Sequence, residues 1–251
     1  MIKNLAVVIL AAGMGTRMKS DKAKVLHEIQ GRPMVLYVVE TAREVAGNDV
    51  VVVVGNQAQK VREVVSETAE LCFALQEKQL GTAHAVLCAL PLIPRYCEHV
   101  VILCGDAPLI EPGTIEALVT DHLNARRDIS LLAVELDDPF GYGRILLDDS
   151  RQVSAIIEEA DATAEQKQIK LINSGIYCID KRFLLDALPK IRPDNAQSEL
   201  YLTDIMAVGY REKKKMGVMI GTNYQQILGI NTWRDLITVD RIMNRRLRNI
   251  A

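Results

Sequence analysis

Five consecutive valines, Val50–Val54, restrict the fold of this chain more than any other segment. Valine is β-branched, so its stiff side chain fits a strand better than a helix. A strand that is apolar at every position is buried on both faces, as in a parallel sheet covered by helices. Gly55 and Asn56 follow the run and end it. The segment therefore predicts a buried strand of an α/β fold.

Similar apolar runs alternate with helical patterns over the first half of the chain. The predicted strands are Leu5–Ile9, Val50–Val54, Leu71–Leu75 and Val100–Leu103, and the predicted helices cover 33–46, 57–68, 82–90 and a segment that Pro112 opens. This alternation predicts a mostly parallel sheet with helices on its faces.

The pattern changes after Asp128, where turns instead of helices separate the strands. We predict strands over 129–136, 144–147, 153–157, 176–179 and 216–220, and helices over 182–188, 203–213 and 232–250. The stretch of about 129–175 is predicted to be a small antiparallel insertion that forms one wall of a cleft. The predicted organisation is one α/β domain over residues 1–231 and a C-terminal helix over 232–251.

Composition excludes several classes of protein. The net charge of −2 gives no basis for binding nucleic acid or a membrane surface, and we interpret the arginines of the last helix as a solvated face. No apolar run reaches the roughly 20 residues of a membrane span, and the N-terminus leads into a strand instead of a signal peptide. The five cysteines form no C-x-x-C pair, so neither zinc nor disulfides are predicted. We expect a cytoplasmic protein with buried, reduced thiols.

The first predicted strand opens into the loop Leu10-Ala11-Ala12-Gly13-Met14-Gly15-Thr16-Arg17-Met18, and Lys24 follows. Glycines let a backbone approach a ligand closely, and cations attract phosphate. In α/β proteins a loop after a buried strand is a common nucleotide site. The loop matches neither the P-loop nor the G-x-G-x-x-G fingerprint, which has glycine at the position of Met18. A tight turn with solvated charges is the alternative.

Further motifs follow this loop: Gln76 with Leu80-Gly81-Thr82, Gly105-Asp106-x-Pro108-Leu109, Gly141-Tyr142-Gly143-Arg144, Glu158, Ile172-Asn173-x-Gly175, Glu199-x-Tyr201-x-Thr203-Asp204 and Gly229-x-Asn231. Across nearly the whole chain, the ordered set resembles the sugar-phosphate nucleotidyltransferase family. Within it, the set is similar to the uridylyltransferase domain of the bacterial bifunctional N-acetylglucosamine-1-phosphate uridylyltransferase and glucosamine-1-phosphate acetyltransferase. The resemblance implies a Rossmann-like nucleotidyltransferase fold with a mixed, mostly parallel sheet.

The resemblance also implies an activity, which is transfer of the uridylyl group from UTP to N-acetyl-α-D-glucosamine 1-phosphate with Mg²⁺ as cofactor. The products would be pyrophosphate and UDP-N-acetylglucosamine, a precursor of peptidoglycan and lipopolysaccharide. Such a transfer needs positioning and charge neutralisation more than covalent catalysis. We accordingly interpret the four scattered histidines, His27, His84, His99 and His122, as structural. The alternatives are a related enzyme for another sugar phosphate or for dTTP or CTP, and a regulatory module that binds nucleotide without catalysis.

The family motifs imply roles for four charged or polar residues. Arg17 and Lys24 would be catalytic and neutralise phosphate charge, with a solvated surface position as the alternative for each. Asp106 and Asn231 would be magnesium ligands, which agrees with the preference of this ion for one or two protein oxygens. A turn or N-cap role remains open for Asp106, and a helix cap for Asn231.

Other motif residues are implied to bind the substrates. The uracil contacts would be Gln76, Gly81 and Thr82, the sugar contacts Gly143, Glu158, Asn173 and Thr203, and the remaining substrate contacts Leu10, Ala11, Ala12, Gly13, Lys24, Gly105, Asp106 and Asn231. Gly81 is expected to permit close approach of the base. Ala23 replaces a proline that is common before the lysine in the family, which predicts a more mobile loop. Cys104 replaces a common tyrosine, which puts side-chain contacts at that position in doubt.

The bifunctional relatives continue into a left-handed β-helix of repeated hexapeptides that acetylates glucosamine 1-phosphate and builds a trimer. This sequence contains no such repeat. We therefore expect uridylyl transfer without acetyl transfer, and no trimer. The sequence leaves open whether the chain is part of a longer polypeptide or a natural single-domain enzyme.

Overall fold

A computed structural model describes residues 1–250, with side chains as far as Arg248; Ala251, the last residue of the predicted C-terminal helix, lies outside the described residues. The strands are β1 Leu5–Ala11, β2 Glu28–Ile29, β3 Arg32–Pro33, β4 Val50–Val54, β5 Cys72–Leu75, β6 His99–Cys104, β7 Ile129–Glu135, β8 Arg144–Leu147, β9 Val153–Ile157, β10 Leu171–Asp180 and β11 Met216–Ile220. The helices are α1 Met34–Ala46, α2 Ala58–Ser66, α3 Thr82–Ala89, α4 Pro112–Ala125, α5 Lys181–Ala187, α6 Asp204–Arg211 and α7 Trp233–Ile250. Of these described helices, none is long and apolar enough to cross a membrane.

A nine-stranded sheet forms the centre of the molecule, with the strand order β11-β7-β10-β6-β1-β4-β5 and with β8 and β9 attached through β10. β6, β1, β4 and β5 run parallel, as do β7 and β11. β10 runs antiparallel to both of its neighbours, β6 and β7. The predicted mixed, mostly parallel sheet is confirmed.

The valine run shows how the sheet divides the core into two layers. Side chains alternate between the faces of a strand. Val50, Val52 and Val54 therefore belong to the core layer that includes residues of α1, α2, α4 and α7, whereas Val51 and Val53 belong to the layer that includes residues of α3, α5 and α6. Because both faces are covered, every valine of the run is at most 1% exposed.

The stretch 129–175 contributes to the same sheet. β7 and the start of β10 lie in its centre, paired antiparallel through residues 171–173 and 133–135. β8 pairs with β10 at Ile172 and with β9 along its length, so the β8–β9 hairpin extends the sheet at one end.

The β2–β3 hairpin was not predicted. Gln30 and Gly31 form its turn with φ angles of 51° and 75°, which is the left-handed geometry of a tight hairpin. Each strand has only two residues, so the sequence shows no alternation of apolar and polar positions. Pro33 belongs to β3, and the helix predicted to start there begins at Met34.

The burial of the cysteines, which are all unpaired, differs in part from the prediction. Cys97 and Cys178 are buried, and Cys88 and Cys104 are partly buried. Cys72 is exposed, because it lies in β5 at the edge of the sheet.

The direction of the strands defines one functional edge. The carboxyl ends of β1, β4, β5 and β6 meet there, and the loops that begin at Ala12, Gly55, Gln76 and Gly105 follow them. The antiparallel strand β10 brings its first residues to the same edge. In open α/β sheets this edge is where ligands bind.

Candidate active site

The loop after β1 is a tight turn that carries two cations. Gly15 has a φ of 66°, and a Cβ atom there would lie 2.6 Å from the Lys24 Cβ. Only glycine therefore lets the loop fold against the segment that carries Lys24. Thr16–Met18 and Lys24–Leu26 form single 3-10 turns, so Arg17 and Lys24 both lie on short, ordered turns.

Four side chains from distant parts of the chain meet beside this loop. Lys24 Nζ forms an ion pair with the Asp106 carboxylate and donates to Asn231 Oδ1 over 3.1 Å. Arg17 Nη2 donates to the same Oδ1 over 2.7 Å. The side chains of Lys24 and Asp106 are each 16% exposed, whereas Arg17 is exposed. The structure thus brings together the four residues that the motifs assign to catalysis and metal binding.

The local structure favours a site role over a capping role for Asn231 and Asp106. Thr232 directly precedes α7, and Asp235 Oδ2 accepts from the backbone N–H groups of Asn231 and Thr232 over 3.0 and 2.8 Å. The cap is therefore supplied by Thr232 and Asp235, which leaves the Asn231 amide free to face the cations. Asp106 caps no helix, and its backbone oxygen accepts from Ile230 N over 2.9 Å.

Asp106 and Asn231 form a donor set that suits a hard cation. Oxygens of both residues contact one ammonium group, that of Lys24, so a single small ion can reach both. In the part of the chain that the structure describes, no three His, Cys, Asp or Glu side chains converge as a metal site. Mg²⁺ needs only one or two protein oxygens when phosphates and water complete its shell, and the pair fits this ion.

Helix α7 holds the loop in place from the outside. The Trp233 indole N–H donates to the Met18 backbone oxygen over 2.9 Å. The same ring meets His27 edge to face, with 5.0 Å between the centroids. The loop and Asn231 are thus fixed by one helix end.

Gln76 lies after β5 with its side chain buried. Its backbone N–H continues the sheet by donating to Val54 O over 2.8 Å, and the residue is 3% exposed. Its amide Nε2 lies 3.0 Å from Gly81 O and 3.1 Å from His84 Nδ1. No motif in the sequence indicates a site role for His84, because its contact with Gln76 depends on how α3 starts.

Gly81 and Thr82 join the nucleotide side of the site to the segment before α6. Gly81 has a φ of 108°, and a Cβ there would lie 2.5 Å from Leu200 O. The Thr82 hydroxyl accepts from Leu202 N over 2.9 Å. The close approach that Gly81 permits in this structure is thus that of the Leu200 backbone.

The predicted sugar contacts form a second group. Thr203 donates to Glu158 Oε1 over 3.1 Å. Burial raises the pKa of Glu158, and the Thr203 hydrogen bond opposes that rise. Asn173 N donates to Gly143 O over 2.9 Å, and Asn173 Oδ1 accepts from the Tyr177 hydroxyl over 3.0 Å. Hydrogen bonds to neighbouring residues thus hold both Glu158 and Asn173.

Backbone hydrogen bonds join the end of β1 and its loop to the loops after β6 and β4. Leu10 O accepts from Gly105 N over 2.9 Å, and Ala12 O accepts from Asn56 N over 3.1 Å. Ala11 and Ala12 are buried, whereas Gly13 is exposed. The Leu10 and Ala12 carbonyls are thus engaged within the protein, and Gly13 is the exposed residue of this segment.

Arg144 belongs to the motif Gly141-Tyr142-Gly143-Arg144, but the sequence assigned it no role. It is 1% exposed, and its Nη2 forms an ion pair with Glu159 over 2.7 Å. Its Nη1 donates to Tyr142 O. Arg144 therefore fixes the Gly141–Gly143 loop beside the predicted sugar contacts.

The structure shows the environment of Ala23 and Cys104, the two positions that depart from the family pattern. Ala23 is buried with a φ of −54°, a value that proline adopts. The Cys104 Sγ lies 3.8 Å from Gly175 O, and burial raises the pKa of this thiol to about 12. Cys104 is therefore a neutral, structural side chain.

Comparison with known proteins identifies the family. The sequence profile of the MobA-like NTP transferase domain matches residues 7–171, more than half of the chain. The chain belongs to this family. As a MobA-like NTP transferase it carries a nucleotidyltransferase domain, which confirms the predicted enzyme class.

Curated relatives match almost the whole chain. Proteins named bifunctional protein GlmU are 41% identical over 243 residues in Geotalea daltonii, 45% over 244 residues in Pelotomaculum thermopropionicum and 42% over 242 residues in Desulfotalea psychrophila. The matches cover 97%, 97% and 96% of this chain, and 53%, 53% and 71% of those relatives. The chain thus spans about half the length of most of the relatives it matches. The resemblance found in the sequence is confirmed.

A solved structure supports the fold. A Bacillus anthracis protein assigned as a glucose-1-phosphate thymidylyltransferase, in complex with sucrose, superposes with a TM-score of 0.73. The match covers 95% of this chain and 94% of that one at 19% identity. At this identity the similarity shows a shared fold.

Proposed function

We propose that the chain transfers the uridylyl group of UTP to N-acetylglucosamine 1-phosphate and releases pyrophosphate. The convergence of Arg17, Lys24, Asp106 and Asn231 at the ligand-binding edge of the sheet carries the proposal. The GlmU relatives and the uridylyltransferase motifs support UTP and an N-acetylated sugar as the substrates.

In the proposed reaction, a phosphate oxygen of the sugar phosphate attacks the α-phosphorus of UTP. A new P–O bond forms while the bond from the α-phosphorus to the oxygen shared with the β-phosphorus breaks. Pyrophosphate leaves with that electron pair. No covalent enzyme intermediate is required, so the protein contributes positioning and charge neutralisation.

The charged residues would divide this work. Arg17 can bind two phosphate oxygens at once, and Lys24 acts as a point charge. The Lys24 ammonium contacts Asp106 and Asn231, and Arg17 contacts the same Asn231 oxygen, so phosphates that take over both cations free both oxygens. These two residues would hold Mg²⁺, which when bound adds positive charge next to the phosphates.

The remaining contacts would orient the two substrates. Gln76 would bind the base through its amide. Glu158 would accept hydrogen bonds from sugar hydroxyls, and Asn173 would donate or accept at the N-acetyl group. Each group lies at the end of the sheet that carries the phosphate residues.

An activity panel tests the proposal. UTP, CTP and dTTP are each combined with N-acetylglucosamine 1-phosphate or glucose 1-phosphate and Mg²⁺, and pyrophosphate release is measured. We expect the highest kcat/KM for UTP with N-acetylglucosamine 1-phosphate. A clear preference for another pair would point to a related enzyme, and UTP binding without pyrophosphate release would point to a regulatory module.

A further inference from the structure

We infer that His84 is a positioning residue that sets base specificity. Its Nδ1 accepts a hydrogen bond from the NH₂ group of the Gln76 side chain, which leaves Oε1 of that side chain as the acceptor for the base. The inference rests on the proposed function, since it concerns the base subsite of the proposed reaction. The sequence alone indicates a structural histidine, and the contact with Gln76 adds a role at the base subsite.

The chemistry of Gly81 fixes the orientation of the Gln76 amide. A backbone carbonyl can only accept a hydrogen bond. The Gln76 atom 3.0 Å from Gly81 O must therefore be the NH₂ group and not the oxygen. Gly81 O also accepts from Ala85 N over 3.1 Å, so the first turn of α3 holds this carbonyl in place.

The same NH₂ group defines the tautomer of His84. Nδ1 lies 3.1 Å from Gln76 Nε2, which already carries two hydrogens. Nδ1 must therefore accept, and the ring proton lies on Nε2. Nε2 faces the Cys88 sulfur at 3.9 Å, a weak acceptor that tolerates this tautomer.

The two contacts occupy both N–H groups of the Gln76 amide. Oε1 accepts from no residue in the described part of the chain, and it is not among the polar atoms that are shut off from solvent. The only group that Gln76 can offer to a base is thus an acceptor. Uracil presents a ring N–H donor at N3 and an acceptor at O4, whereas cytosine presents an acceptor at N3 and an amino donor at C4, so Oε1 selects uracil when it faces N3 of the base.

Loss of the Nδ1 acceptor would relax this selection. One amide hydrogen of Gln76 would become free to face the base, and the amide could offer a donor as well as an acceptor. A site that satisfies one hydrogen-bonding pattern rejects a base with the inverse pattern, and this rejection weakens when the site can adapt.

Variants of His84 and Cys88 test the inference through kcat and KM for UTP and for CTP. His84→Leu removes the acceptor, His84→Asn can place Oδ1 near the position of Nδ1, and Cys88→Ala changes only the opposite side of the ring. We expect the ratio of kcat/KM for UTP over CTP to fall about tenfold in His84→Leu, mainly through KM. We expect His84→Asn to recover most of the ratio and Cys88→Ala to keep it.

Circular dichroism and thermal unfolding accompany each variant, and His84→Phe replaces His84→Leu if that variant does not fold. An unchanged ratio in a folded variant without the acceptor would overturn the inference, as would a loss that His84→Asn does not reverse. The wild-type protein separates the two claims, since failure to use UTP would contradict the proposed function before any variant is compared.

Discussion

Lys24 is the residue on which the candidate active site is centred. Its ammonium contacts Asp106 and Asn231, and the glycine at position 15 lets its side chain pack against the loop. A lysine side chain is long and flexible, so its position depends on these contacts. Preorganised positive charge is what a reaction at phosphorus requires from a protein.

Lys24→Ala should lower kcat by roughly 10²–10³ while leaving the fold intact, because it removes preorganised charge next to the phosphates. Pyrophosphate release at saturating UTP measures the effect. Lys22→Ala is the matched control, since Lys22 is a nearby exposed lysine whose ammonium pairs with Glu28. Equal rates for the two variants would contradict the assignment of Lys24.

The sequence predicts the roles of some site residues and not of others. Arg17, Lys24, Asp106 and Asn231 lie in motifs, and the structure places them together. His84 could not be predicted, because its role depends on the rotation of one amide and on the tautomer of one ring. Such details come from three-dimensional contacts that no spacing of residues encodes.

At the scale of elements, the start of α7 connects the loop to the metal residues. Thr232 and Asp235 cap the helix, which leaves Asn231 at the site, and Trp233 bonds to the loop at Met18. Movement of this helix end would displace the loop and Asn231 together.

Trp233→Phe tests this connection. The substitution keeps an aromatic ring but removes the N–H donor, so the loop loses one hydrogen bond worth about 1 kcal/mol. We expect kcat/KM to fall about fivefold with a small change in thermal stability. Trp233 is 51% exposed, so a large loss of stability with unchanged kinetics would show that the contact serves only the fold.

The elements themselves were predictable where apolar runs are long. β4 matches its predicted bounds because five valines leave no alternative to a buried strand. The β2–β3 hairpin was missed because its two-residue strands carry no periodicity. The pairing of β10 between β6 and β7 also could not be read from the sequence, since strand order depends on contacts between distant segments.

At the scale of the whole molecule, a buried polar network lies at the edge of the sheet opposite to the site. His122 lies 3.0 Å from the Ser130 hydroxyl and 3.2 Å from a ring nitrogen of His99. Burial, and then the neighbouring His99, lower the pKa of His122 to about 4. The folded protein therefore binds a proton at His122 less readily than the unfolded chain does.

This network predicts that the protein becomes less stable as pH is lowered through a defined window. An unfolded histidine has a pKa near 6.5. Between about pH 6.5 and pH 4 the unfolded chain binds more protons at His122, so the free energy of unfolding should fall by about 1–3 kcal/mol as pH falls. Glu158 and Asp204 are partly buried, and because burial raises their pKa values they act in the opposite direction.

Comparison with His122→Gln isolates the histidine. Urea unfolding at several pH values should give a shallower dependence on pH in the variant than in the wild-type protein, whatever its absolute stability. Identical slopes would show that His122 does not titrate in this window.

The most direct test of the central claim is pyrophosphate release from UTP and N-acetylglucosamine 1-phosphate by Asp106→Asn over a range of Mg²⁺ concentrations. The substitution keeps the shape of the side chain but removes the charge that the proposed metal site requires. Asp149→Asn, at an exposed aspartate outside the site, is the control. The account predicts that Asp106→Asn loses nearly all activity and that excess Mg²⁺ recovers little of it, while the control behaves as the wild-type protein. Wild-type turnover and magnesium dependence in Asp106→Asn would contradict it.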